Sequence, residues 1–229
     1  MSCNIENHFA NIHSQLYDSG DDAAALIQLE QCLSERIDSL SLNDVSRITP
    51  DIVAEAIGHL KNNKSDPSFQ FSSDSLKNAP RILCEHLATL FRQFLIHGHI
   101  SSFLMLSTLI PLIKDKLGDP SSSSNYRSIA ISSLLLKVFD WVILILCEKE
   151  FETDELQFGF QSKTSTNMCT WLVVESIEYF QRNGSDVYAC VMDMSKAFDH
   201  VKHSTLFSKL LNKGIAPIFI RLISIMYEK

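Results

Sequence analysis

Apolar residues recur along this chain at helical spacing in several stretches, separated by polar loops and a few short runs of β-forming residues. Residues 5–17 and 21–40 read as two amphipathic helical segments. Asp21 and Asp22 suit the start of the second, where carboxylates meet the positive end of the helix dipole. Thr49-Pro50-Asp51-Ile52 opens the next helix: Thr49 is a natural N-cap, Pro50 fits the first helical position, and apolar residues follow through Leu60. Residues 62–75 turn polar and predict a loop. Residues 80–97 return to helix, with Leu83, Leu87, Leu90, Phe91 and Phe94 on one face. A short strand is predicted over 110–116, a turn over 118–125, and a returning strand over 126–131, making a hairpin with lysine and arginine near its tip. Residues 132–150 and 165–183 predict helices, the first strongly apolar. Residues 187–192 are wholly apolar and β-favouring, the pattern of a buried strand, and the run stops at Asp193. Helices over 203–212 and 217–227 follow. No internal repeat is visible. These elements predict an α+β fold and leave the sheet order open.

Composition narrows the picture only slightly. The 229 residues are 45% hydrophobic and 21% charged, ordinary for a globular chain. The net charge of −7 argues at first against a nucleic-acid partner. The charge is unevenly placed, however: residues 1–60 carry ten acids and two bases, while residues 61–229 carry seventeen acids and eighteen bases. An acidic helical connector arm over 1–60 is thus expected before a near-neutral body over 61–229, and neutrality is compatible with a nucleic-acid cleft without suggesting one. The six cysteines contain no CxxC pair, which signals neither a disulfide framework nor a zinc knuckle and fits a reducing, intracellular compartment. The N-terminus lacks the basic and apolar regions of a secretory signal. Two apolar runs, 100–113 and 134–147, are too short or too interrupted by Lys137 and Asp140 to predict a membrane span.

The sharpest chemical feature is Asp193 at the end of the apolar run. A polymerase needs a carboxylate there, because two Mg²⁺ ions about 4 Å apart stabilise the attacking and leaving oxygens of phosphoryl transfer. Hard cations take carboxylate oxygens with an occasional backbone carbonyl, which Met194 is placed to supply. On spacing alone, the plainer reading of an aspartate that ends a strand and opens a turn is favoured.

The wording of the segment shifts that balance. Asp193-Met194-Ser195-Lys196-Ala197-Phe198-Asp199 resembles the first catalytic-aspartate motif of the reverse transcriptases of non-LTR (LINE-like) retrotransposons. The resemblance implies that Asp193 is a metal-binding catalytic aspartate. It also implies that Phe198 closes on the sugar C2′ and excludes ribonucleotides. Asp199 is expected to cap the helix that follows. Upstream, Leu109-Ile110-Pro111-Leu112-Ile113-Lys114 and Asn125-Tyr126-Arg127-Ser128-Ile129 resemble the family's fingers hairpin, which implies that Lys114 and Arg127 grip the incoming dNTP. Lys116 is the neighbouring alternative to Lys114. The stretch 134–140 resembles the helix after that hairpin, where Lys137 either touches template or primer backbone or snorkels from an apolar helix. Residues 157–166 resemble the segment leading to the catalytic strand, where Phe160 either stacks on the template or belongs to the core. Residues 60–67 resemble the loop that opens the domain.

The family implies a polymerase right-hand fold, here fingers over about 61–185 and the start of the palm over about 186–229. It also implies Mg²⁺, an RNA template, a DNA primer and dNTPs as cofactor and partners, with no membrane. Three departures stand out. The opening loop lacks the glycines of the family's Pro-Gly-Pro-Asp-Gly, and Tyr-Arg-Pro-Ile has become Tyr126-Arg127-Ser128-Ile129. Most important, no Asp-Asp pair follows Asp199. One carboxylate does not hold two Mg²⁺ ions in register, so these residues are expected to be catalytically incomplete by themselves, with an exposed edge beside the Asp193 strand. The competing expectation is a non-catalytic retroelement remnant that binds nucleic acid or serves as an interaction module.

Overall fold

The computed structural model describes residues 24–29, 31–33, 43–67, 69, 71–151, 153–194, 197–198 and 200–227. The expected helix over 5–17 lies outside them. Of the second expected segment, residues 24–29 and 31–33 are helical.

Helix α1, Pro50–Gly58, begins as its sequence dictates, with the Thr49 hydroxyl accepting the Ile52 N–H at 3.3 Å and Pro50 in the first turn. The polar stretch after it is a loop only as far as Ser72. There Ser72 caps a short helix α2, Ser73–Lys77, by accepting the Ser75 N–H. Helix α3, Ile82–His97, buries Cys84, Leu87, Ala88, Phe91, Phe94 and Leu95, a stripe rotated slightly from the predicted one and leaving Leu90 at the surface. It stops at Gly98, whose φ of 56° suits a residue without Cβ. Arg221 holds that end, donating from its guanidinium to the Leu95 carbonyl at 2.5 Å, where a cation meets the negative pole of the helix.

Helix α4, Ser102–Met105, leads into an antiparallel hairpin of β1, Thr108–Ile113, and β2, Tyr126–Ile131. Helix α5, Leu134–Leu146, follows, capped by Ser133 and burying seven apolar side chains. The core forms where α1 packs on α3 and α5: Phe139 lies 5.1 Å from Phe91 and edge-on to Phe94 at 6.0 Å. Each such buried aromatic contributes about 1.5–3 kcal/mol of transfer free energy. Helices α7, His203–Asn212, and α8, Pro217–Tyr227, pack on each other, and α8 also packs on α3. All the helices named so far and the hairpin belong to one compact unit, residues 1–150 and 199–229.

The second unit, residues 151–198, contains helix α6, Thr166–Arg182. Ser165 caps it, and an Arg182–Glu178 ion pair at 2.6 Å joins its last turns. None of its residues is buried. The expected buried strand over 187–192 is not formed: the segment has no regular structure, and Val191 is 93% exposed. A strand exists only when a neighbour completes its ladder, and the one sheet among the described residues is the β1–β2 hairpin. Mixed helix and small sheet is therefore the observed class. Of the six cysteines, the five described are free thiols. No helix among the described residues is long and apolar enough to cross a membrane.

Candidate functional site

The hairpin brings two of the predicted residues onto one face. Its register sets Leu112 opposite Arg127, and pairing continues one step past β1, where the Lys114 N–H donates to the Asn125 carbonyl at 2.8 Å. Strand alternation puts Lys114 on the same face as Leu112, and so beside Arg127. Diagonal neighbours of this kind have backbones about 7–8 Å apart, within joint reach of a long ammonium and a guanidinium side chain. Both are exposed. A planar fork and a mobile point charge on one face are suited to oxygens of a polyphosphate.

The turn that holds this face is tied by Asn125, whose importance the sequence motif carried without a reason. Its side-chain oxygen accepts the Asp115 N–H at 3.0 Å and its amide donates to the Asp115 carbonyl at 2.9 Å. The Tyr126 hydroxyl donates to the Pro120 carbonyl at 2.8 Å. A Cβ on Gly118 would come within 2.9 Å of the Asn125 amide, so this glycine is required by close approach. The replacement of proline by Ser128 also finds its explanation. The Lys114–Asn125 bond fixes which pairs exchange hydrogen bonds, and by alternation Pro111 and Ser128 face each other in a pair that exchanges none. Neither residue needs its N–H for the ladder.

Lys137 lies half-buried in the second turn of α5, three residues before Asp140. Asp140 keeps an exposed edge, and partial loss of water around its carboxyl lifts it from 3.8 to about 6, with the nearby Lys137 charge offsetting part of that rise.

The remaining predicted residues lie in the second unit. Phe160, 92% exposed, meets Phe198 edge-on with ring centroids 5.9 Å apart. Its φ of 60° is a left-handed conformation that a bulky side chain seldom takes. The turn is held by side chains: Thr164 donates to the Phe158 carbonyl at 2.7 Å, and Gln161 donates to Thr153 and to the Asp154 carbonyl. Phe160 is therefore a surface aromatic, not a core residue. Asp193 and Met194 are exposed. Asp199 lies outside the described residues. No three His, Cys, Asp or Glu side chains come together as a metal site among the described residues. Asp193 and the Met194 carbonyl supply hard oxygen donors, but these residues do not fit a two-metal centre by themselves.

Comparison with known proteins sets this geometry in context. Residues 114–228, half of the chain, match the family described as Reverse transcriptase (RNA-dependent DNA polymerase). Over 124 residues the chain is 30% identical to the Retrovirus-related Pol polyprotein from type-1 retrotransposable element R2 of Popillia japonica. That similarity covers 53% of this chain and 17% of that protein, so the chain spans only a small part of its relative's length.

Proposed function

The chain belongs to the reverse transcriptase (RNA-dependent DNA polymerase) family, and we propose that it supplies the nucleotide-gripping fingers and the first palm carboxylate of a non-LTR retrotransposon polymerase. In this reading the right-hand fold places an RNA template and a DNA primer against the chain, and a dNTP is the substrate. Lys114 and Arg127 hold the triphosphate. Phe198 faces the sugar, where its ring leaves no room for a 2′-hydroxyl. Asp193 is one carboxylate of the metal site. A divalent ion bound there supplies charge neutralisation for phosphoryl transfer, and the chain's own part is to position oxygen donors and the triphosphate.

The observation that carries the reading is the exposed lysine–arginine pair on one face of the hairpin, within the span that matches the family. The test is photolabelling with an azido-dNTP in the presence of an RNA template and DNA primer. Label is expected in peptides between residues 108 and 131. Label confined to other peptides contradicts the assignment.

A further inference from the structure

Three contacts converge at the base of the β1–β2 hairpin. The first is from Asp66, which is only 5% exposed. One of its carboxylate oxygens accepts the Phe69 N–H at 2.8 Å, and the other accepts the Leu134 N–H at 2.6 Å, at the first residue of α5. This is a charged acceptor at the positive end of a helix, sixty-eight residues away in sequence. The second is Phe69, which meets Phe103 of α4 edge-on at 5.0 Å. The third is the Ser133 hydroxyl, which donates to the Leu104 carbonyl at 3.2 Å and so ties the chain leaving β2 to the chain entering β1.

The two limbs of the loop that carries Asp66 and Phe69 are tied to each other. They pair through Asp66 N–H to the Phe71 carbonyl and Ser73 N–H to the Lys64 carbonyl, both at 2.8 Å. The Asn63 N–H donates to the Asp74 carboxylate at 2.8 Å. Asn63 takes φ of 55°, a left-handed conformation that asparagine tolerates better than most side chains, in a loop without the family's glycines.

The hairpin, by contrast, has no buried residue on either strand. Among the described residues nothing buries either strand, so the contacts at the base are the ones that set its direction. We propose that Asp66 is a positioning residue for the nucleotide grip. By clamping the 61–72 loop to the start of α5, it fixes the orientation in which the hairpin presents Lys114 and Arg127. This rests on the reading of those two residues as triphosphate ligands.

Hydrogen exchange on the whole chain, with dGTP titration beside it, tests the clamp. Asp66→Asn keeps the shape but puts an amide donor against one of the two N–H groups. Losing that charge-assisted bond is expected to speed exchange of the 108–131 amides about tenfold or more. Exchange in α1 and α3 should stay as in the parent, and dGTP should bind several-fold more weakly. Unchanged hairpin exchange overturns the proposal. So does equal acceleration in α1, α3 and the hairpin, which would make Asp66 a general stabiliser. A loosened hairpin with parental dGTP affinity also overturns the positioning role. If Asp66→Asn does not fold, Asp66→Glu, which keeps the charge and displaces the carboxylate by one methylene, is read by the same criteria. Arg127→Ala separates the two claims: parental dGTP affinity in that variant sinks the triphosphate reading, while the exchange result still decides whether Asp66 holds the hairpin.

Discussion

Asp140 shows how much a single residue's neighbours decide. It stands on an exposed edge of α5, the most apolar helix among the described residues, and partial desolvation raises its carboxyl to about 6 from the ordinary 3.8, with Lys137 offsetting part of the rise. A raised folded-state value means that the native chain binds its proton more tightly than the unfolded chain. The stabilisation is therefore fully present below the unfolded value and is lost as pH rises from 3.8 through about 6. Asp140→Asn removes that loss. The variant's Tm should exceed the parent's at pH 7, and the gap should close as pH falls toward 4; a constant gap across this range would show that titration of Asp140 is not the cause. Nothing in the local sequence gave the shift its size, because the crowding around Asp140 is tertiary. The same holds for Asp66, whose loop composition was legible and whose partner at Leu134 was not. Thr49, Ser133 and Ser165, in contrast, cap their helices through bonds to residues three positions on, and such bonds can be read from sequence.

Among the elements, the hairpin was the most legible and the segment 187–192 the least. Apolar runs on either side of a Gly-Asp-Pro-Ser turn fix a hairpin by local chemistry, and β1 starts two residues and ends three residues before the expected bounds while β2 matches. Over 187–192 the pattern reported only that the residues are apolar, with β-branched Val187 and Val191 and aromatic Tyr188 among them. It carried no information on whether a partner strand stands beside them, and among the described residues none does. The register makes a direct prediction. Ser128→Pro is tolerated, because residue 128 gives no N–H to the ladder, and stability should change by no more than about 1 kcal/mol. Ile129→Pro removes a ladder bond and should cost at least about 1 kcal/mol of local hairpin stability. Exchange rates of the Arg127 and Lys114 amides in the two variants check this; greater loss of protection in Ser128→Pro than in Ile129→Pro would mean the register is shifted by one residue.

For the whole molecule, burial is concentrated in one of the two units. Phe91, Phe139, Phe207 and Phe219 anchor the unit of residues 1–150 and 199–229, whereas no described residue of 151–198 is buried. The segment bearing Asp193 thus draws little support from a core of its own. The sequence after Asp199 contains no aspartate, and the described residues assemble no metal cluster. These 229 residues are therefore expected to give no primer extension on an RNA template with Mg²⁺, and Asp193→Ala should change nothing; extension abolished by that substitution would show that the site is completed after all. The central claim, that the hairpin holds a triphosphate through Lys114 and Arg127, is tested most directly by titrating the chain with dGTP and with deoxyguanosine, in the parent, Lys114→Ala and Arg127→Ala. Saturable dGTP binding, no binding of the nucleoside, and a loss of about tenfold or more in each variant are expected. Equal dGTP affinity in the parent and both variants would contradict it.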